Sequence, residues 1–108
     1  MSHFAKAFGL AHNNRLNERV DVCMIKLAIA VLNEDAATPN HEARAKYAVE
    51  VINHRAVNDA TMCVAVDTGI LDRVTVGEVS SDAAADEITD ELIEARLSAV
   101  WNALSGVG

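Results

Sequence analysis

The sequence predicts an all-α protein: a single small bundle of about four helices, with an N-terminal arm and one long loop. The chain has 108 residues, the usual length of one domain. Aromatic residues make up only 4%, so the apolar content is mostly Ala, Val, Leu and Ile, and Ala is the strongest helix former. One proline and five glycines leave few helix breakers. Together these features favour long, closely packed helices.

Residues 1–15 are predicted to form a flexible N-terminal arm ahead of a helical domain at 16–108. The arm is polar and small in composition and has no helical period; Phe4, Phe8 and Leu10 are its sizeable apolar side chains beyond Met1. Such a segment either orders against another surface or is a frayed terminus. The composition favours neither of these two interpretations.

The first helix is predicted from about Asn14 to Leu32, because two apolar stripes run along it at helical spacing. They are Leu16, Val20, Cys23, Leu27 and Val31, and Val22, Ile25, Ile29 and Leu32. A helix that is apolar nearly all round must be covered on most sides. It is either a central core helix, the commoner arrangement, or a helix shared with a neighbouring subunit.

The second helix is predicted to start at Thr38-Pro39, with Thr38 as N-cap and Pro39 at the first helical position, and to run to about Asn53. Its predicted buried stripe is Ala45, Ala48, Val49 and Ile52. A shorter third helix follows, to about Asp67. The β-forming residues 62–66 make a strand the competing interpretation, but helix is preferred, with Gly69 at the C′ position.

The segment Ile70–Val79 breaks the helical period, since apolar and polar residues alternate at 73–76. It is predicted to be a surface loop, with a short extended segment as the alternative. The last helix is predicted to begin between Ser81 and Asp86 and to end before Gly106. Two stripes line it: Ile88, Leu92, Ala95 and Ala99, and Ile93, Leu97, Val100 and Leu104, with Trp101 beside the second.

Charge is distributed unevenly. Residues 67–94 carry nine acids against the single base Arg73, a net of −8, whereas the whole chain has a net charge of −7. A phosphate-binding surface needs clustered Lys and Arg, so direct binding of nucleic acid is not expected. The acidic run is interpreted first as a solvated helix face. The alternative is a surface that repels DNA or meets a basic partner.

The sequence shows no constellation typical of an enzyme, so no catalytic residue, metal or cofactor is predicted. Cys23 and Cys63 are interpreted as small buried apolar residues that point to a reducing compartment. A catalytic role remains the alternative for His41 or His54, each of which lies near a predicted helix end. Neither a secretory signal nor a membrane span is expected, because the most apolar run, 22–32, is short and interrupted by Lys26.

Three segments give the chain a resemblance to a known family. They are the helical phrase His41–Ile52, the apolar run Ala60–Val66, and the acidic lead into a terminal helix that ends Val100-Trp101-Asn102-Ala103-Leu104-Ser105-Gly106-Val107. In this pattern, spanning roughly residues 16–107, the chain resembles the small helical adaptor or neck proteins at the head–tail connector of tailed bacteriophages.

The resemblance implies a virion protein, made in the host cytoplasm, that forms a dodecameric ring under the portal protein. Such a ring bridges the portal to the next neck or tail protein, and DNA passes through it without specific binding. Docking in such families uses arms, loops and terminal helices. The candidate interface residues are therefore Phe4, Phe8, Val74, Val76, Trp101 and Leu104, although Trp101 also suits a core anchor.

Three alternatives stay open. The chain is another virion component, such as a capsid decoration protein or a tail terminator; a small acidic regulator that binds one host protein; or a small enzyme that uses His41 or His54.

Overall fold

The computed structural model describes residues 12–53 and 57–106. Within these ranges the chain forms six helices and no strand. This confirms the all-α prediction, but the number of helices is six and not the predicted four or so. The helices are α1 (Asn14–Asn33), α2 (His41–Ile52), α3 (Val57–Asp67), α4 (Ile70–Thr75), α5 (Ser81–Glu87) and α6 (Asp90–Leu104). α1 is the hub of the fold, since it packs against α2, α3, α5 and α6.

Helix α1 begins where the sequence predicts and is anchored there by Asn13. The Asn13 side chain accepts a hydrogen bond from the backbone N–H of Leu16, the N-cap interaction, and its amide donates to Ser81 and Asp82. The proposed arm boundary at residue 15 therefore falls inside α1. Residues 1–11 lie outside the described residues.

The prediction for the start of α2 was wrong by two residues. The backbone N–H of His41 donates to the carbonyl of Thr38 at 3.0 Å, which closes a turn with Pro39 and Asn40 at its centre. Asn40 has φ 62°, a left-handed conformation that Asn tolerates better than most residues. Thr38-Pro39 is therefore a turn signal, and α2 begins only after it.

The prediction for the buried face of α2 was right for Ala48 and for Ala45, which is partly buried against the core, but wrong for Val49 and Ile52. Tyr47, Ala48 and Val51 are buried, whereas Val49 and Ile52 are 51% and 41% exposed. The reason is a tertiary contact: the ring of Tyr47 packs edge-to-face on Trp101 of α6, with centroids 4.9 Å apart. This contact turns the aromatic side of α2 toward the core.

The third predicted element is a helix, α3, as the sequence analysis preferred over a strand at 62–66. Its buried residues are Ala60, Thr61, Val64 and Ala65, and the Thr61 hydroxyl lies 2.6 Å from Asn17 Oδ1 of α1. Gly69, which follows the end of α3, has φ 78°, in agreement with its predicted C′ role.

The predicted loop at Ile70–Val79 is wrong over its first six residues, which form α4. Ile70 and Val74 lie one helical turn apart, and both are buried, with 6% and 5% of their surface exposed. One turn of helix places both side chains on the core side. In an extended segment, Val76 would lie on the same face as Val74 and would also be buried. Val76 instead caps the helix end and is 69% exposed.

The predicted last helix is two helices, α5 and α6, separated at Ile88-Thr89. Ser80 caps α5 by accepting from the N–H of Ala83, and Thr89 caps α6 by accepting from the N–H of Leu92. Ile88 and Ile93 occupy the N′ and N4 positions of α6, and both are buried, as in a hydrophobic staple. The chain therefore turns at Ile88 to bury it.

One contiguous core joins all six helices. From α1 it takes the first predicted stripe, which confirms that stripe as the core side of the helix. From α6 it takes the second predicted stripe together with Trp101, whereas Leu92 of the first stripe is 41% exposed. Each of these two helices therefore buries one of its two apolar stripes and leaves most of the other at the surface.

Candidate functional site

The predicted interface residues differ in their exposure to solvent. Phe4 and Phe8 lie outside the described residues. Val74 and Trp101 are core residues, with 5% and 3% of their surface exposed, so their assignment to an interface is corrected. Val74 is buried because α4 turns it inward, and Trp101 because it packs on Tyr47.

The two remaining candidates differ from each other. Leu104 is partly buried and packs against the core. Val76 is the most exposed of the large apolar residues in the described chain, at 69%. It follows the last residue of α4, beside the left-handed Gly77, and an exposed apolar side chain of this kind needs no functional explanation.

A larger exposed apolar surface lies on α1 and α2. We call it the α1–α2 face; Val22, Ile29 and Leu32 of α1 are between 42% and 53% exposed, and Val49 and Ile52 of α2 contribute beside them. Ile25, at the centre of the α1 stripe, is half-buried. The α1 members recur at spacings of three and four residues on the side opposite Leu16 and Val20, so they form a continuous stripe.

The antiparallel pairing of α1 and α2 joins the two stripes. The joint between the helices brings Glu34 beside His41, at 3.0 Å between Oε1 and Nδ1. Counting back along the hairpin from this joint places Ile25 level with the segment around Val49. Val22 lies at the other edge of the α1 stripe, where it lines a pocket with Asp90 and Glu94 of α6. The exposed apolar residues of both helices therefore belong to the outer side of the hairpin. The prediction from sequence missed this surface because it assigned Val49 and Ile52 to the core.

Charge is absent from the centre of the α1–α2 face. Between Cys23 and Leu32, Lys26 is the only charged residue of α1. Its ammonium points away from the face and lies 3.8 Å from a carboxylate oxygen of Glu94 on α6. Depletion of charge at the centre of an apolar patch is typical of protein interfaces.

The side of α1 that faces α5 and α6 has the opposite character. Three bases on α1 pair with three acids across the packing: Arg15 with Asp86 at 3.0 Å, Arg19 with Asp90 at 2.9 Å, and Lys26 with Glu94 at 3.8 Å. We call this set the polar flank. The bases recur at spacings of four and seven residues, so one side of α1 carries all three.

Arg19 does more than pair with Asp90. Its guanidinium also donates to the backbone carbonyls of Ala85, at 2.8 Å, and Ile88. The Ala85 carbonyl also accepts from the backbone N–H of Ile88 at 3.3 Å, and Ile88 follows the last residue of α5. Arg19 therefore adds a charged donor where the backbone acceptors of a helix end are least satisfied. Arg19 of α1 thus binds the turn between α5 and α6. This turn divides the single last helix that was predicted from the sequence.

The acidic run at 67–94 is largely matched within the chain. Besides the three acids of the polar flank, Arg73 pairs with Glu78 and Glu87, and Arg96 lies 3.3 Å from Asp67. Six of the nine acids therefore have a cationic neighbour. The run is a partly compensated helix surface, closer to the solvated face that was its first interpretation than to a free acidic surface.

His41, the described one of the two catalytic candidates, belongs to the α1–α2 joint. Its Nδ1 donates to Glu34, which also accepts from Arg44 at 2.6 Å. The hydrogen bond from His41, together with the Arg44 guanidinium, holds the pKa of the Glu34 carboxyl below its ordinary value, against the opposing effect of partial burial. This geometry ties the end of α1 to the start of α2. His54 lies outside the described residues.

The two cysteines sit in different surroundings. Cys23 is buried on α1, as expected, and Cys63 is half-buried on α3. Burial raises the pKa of both thiols, with nearby Glu94 and Asp59 adding to the effect at Cys23 and Cys63, respectively. Both thiols are therefore held in the protonated, weakly nucleophilic form at neutral pH.

Within the described ranges, no group of three or more His, Cys, Asp or Glu side chains is placed to hold a metal ion. In the same part of the chain, no helix has both the length and the apolar character needed to cross a bilayer.

A cleft of about 260 Å³ opens between α1, the α1–α2 turn and α6, and Arg44, Asn40 and Trp101 are among its lining residues. Among the residues that the structure describes, Trp101 Nε1 and the Tyr47 hydroxyl have no hydrogen-bond partner, and both atoms are shielded from solvent. A ligand in the cleft has no access to them. They are polar atoms enclosed by the aromatic contact between α2 and α6.

Comparison with protein-family models, with curated proteins and with solved structures finds no match to this chain. The function is therefore inferred from the chain's own residues, and the α1–α2 face is the feature that most needs a functional explanation.

Proposed function

We propose that this protein is a structural component that works by assembly, and specifically an adaptor of the phage head–tail connector. The α1–α2 face is the observation that supports assembly. Apolar side chains cover one side of a two-helix hairpin, and they remain exposed although the same helices bury their other side in a well-formed core.

The size of the face supports this proposal. From the exposed fractions of its side chains, the face presents roughly 400–500 Å² of apolar surface. On a monomeric protein the largest apolar patch is about 300–600 Å² and often functional. The size of the face is therefore compatible with a contact surface, and its charged rim is the arrangement found around protein interfaces.

The connector is the more specific part of the proposal, and it rests on the resemblance of residues 16–107 to phage adaptor proteins. The chain would form a ring, dodecameric in the proposal, below the portal protein and bridge it to a neck or tail protein. The net charge of −7 suits a ring through which DNA passes, because a negative surface does not hold the phosphate backbone.

Quantitative mass spectrometry of gradient-purified particles from the source lysate tests this proposal. A connector protein is expected in the particles at a copy number near that of the portal protein. A copy number near that of the capsid protein would instead indicate a decoration protein, and one near that of a tail-end protein a tail terminator.

Absence from the particles, with abundance in the soluble lysate, would contradict every virion role. It would favour the small regulator that binds one host protein. Such a regulator would bind a basic partner through the acidic run at 67–94. Six of the nine acids in this run already have a cationic neighbour within the chain, so its attraction for a basic partner is weaker than the sequence suggested.

A further inference from the structure

We infer that the α1–α2 face is the contact surface between copies of this chain, and that two copies meet through it with their α1 and α2 helices packed together. This inference names the occupant of the face. It concerns self-association in solution, so it holds or fails independently of any position in a virion.

The first argument is the area available. A standard protein interface buries about 800 Å² on each partner, of which about 56–65% is apolar, or roughly 450–520 Å². The α1–α2 face offers roughly 400–500 Å² of exposed apolar surface from its six side chains. One copy therefore presents about the apolar area that a partner of the same kind must cover.

The second argument is composition. The α1 stripe consists of β-branched and leucine side chains, with no charge between Val22 and Leu32 directed at the face. Two copies each carry a net charge of −7 and repel each other at long range. A contact between copies therefore requires a neutral surface, and the centre of this face is one.

The third argument is the rim. Along the outer edge of α2, Glu42, Lys46 and Glu50 are exposed and alternate in sign at four-residue spacing. An apolar centre with a polar rim of both signs is the arrangement found at interfaces. In a two-fold contact each patch meets its own copy, so the Lys46 of one chain can approach an acid of the other. Such a contact pairs two copies, and a closed ring needs a second, different contact between subunits.

Sedimentation equilibrium of the full chain tests this inference, over about 1 μM to about 1 mM. Wild-type protein is expected to show concentration-dependent association. Ile29→Glu and Val49→Glu place a charge on the face from two different helices. Each is expected to weaken association at least about tenfold, because the charge is buried without a partner.

Val76→Glu is the matched control. It makes the same kind of change at a more exposed apolar residue that lies outside the face, and it is expected to leave association unchanged. Circular dichroism and thermal melting of all three variants check that they fold, which the exposure of the three sites predicts.

Two results would overturn the inference: a wild-type chain that stays monomeric over the whole range, or association that survives both Ile29→Glu and Val49→Glu. Neither result depends on the particle measurement. A chain that associates through this face but is missing from particles would contradict the connector proposal alone.

Discussion

The two flanks of α1 use opposite chemistry. Toward α5 and α6, Arg15, Arg19 and Lys26 reach across to acids, and most of these side chains stay exposed to water. Toward α2, the helix packs with apolar and small residues, among them the fully buried Ala28 and Ala48 on the facing helices. Beyond that contact, the apolar surface continues outward as the α1–α2 face.

One helix is therefore held by polar contacts on one side and stays apolar and exposed on another. Exposed ion pairs contribute little to stability, typically about 0–1 kcal/mol each, but their spacing selects which residues lie opposite one another. The polar flank thus aligns three bases of α1 with three acids of α5 and α6. The energy of folding comes from the core side, and the opposite apolar side stays exposed.

The largest effect is expected from the core side of α1. Leu16→Ala is predicted to lower the free energy of unfolding by about 2–5 kcal/mol, because Leu16 is fully buried and its loss leaves a cavity. Urea denaturation, followed by circular dichroism at a concentration where the chain is monomeric, measures this change.

Ile29→Ala is the matched variant on the opposite side of the same helix. Ile29 is 50% exposed, and Ala is the better helix former, so the expected change is within about 1 kcal/mol. Equal losses from the two variants would contradict the assignment of the two sides of α1.

A second prediction concerns the aromatic contact between α2 and α6. Burial raises the pKa of Tyr47 to about 12, with the negative charge of Asp59 adding to the effect. In the unfolded chain the phenol ionises near pH 10, so between about pH 10 and pH 12 the folded state keeps a proton that the unfolded state loses. Stability attributable to Tyr47 should therefore fall as pH rises through this window, by about 2–3 kcal/mol in all.

Tyr47 is the only tyrosine in the chain, so its ionisation can be followed by ultraviolet absorbance without interference from another phenol. The folded protein is expected to titrate well above the urea-unfolded protein. Tyr47→Phe should remove this part of the pH dependence. It should also leave stability at pH 7 unchanged or higher by up to about 1 kcal/mol, because the buried hydroxyl has no partner. A folded phenol that titrates near pH 10 would show that Tyr47 is accessible to water.

The polar flank holds one moderate predicted effect and the smallest one. Arg19→Met is expected to lower the free energy of unfolding by about 1–2 kcal/mol, because the carbonyls of Ala85 and Ile88 lose a charged donor. Arg15→Met removes an ion pair in which both side chains are more than half exposed, and its expected effect is below about 0.5 kcal/mol.

Denaturation of both variants, in low and in high salt, measures the contrast. The small Arg15 contribution should disappear in salt, whereas most of the Arg19 contribution should remain, since it comes from hydrogen bonds to the backbone. If the two variants behave alike, Arg19 does not hold the α5–α6 turn.

Local signals in the sequence were enough to predict several elements. The start of α1, the helical state of α3 and the C′ glycine Gly69 depend on periodicity and end residues within a few positions of each other. The break at Ile88-Thr89 also carries a local signal, the cap of Thr89 with the staple of Ile88 and Ile93. It was missed because the run of caps at Ser80–Asp82 marks an earlier helix start.

Local sequence information was enough to predict that this chain is helical, where several of its helices begin or end, and that α1 and α6 each carry two apolar stripes. Which stripe is buried depends on contacts between helices. Hydrophobic periodicity measures apolar content on each side of a helix, and in the second half of α1, from Val22 to Leu32, both sides are apolar. The choice was made by contacts far apart in sequence: Tyr47 on Trp101, which turns α2, and Arg19 at the α5–α6 turn, which positions α6. Those contacts also left the α1–α2 face exposed.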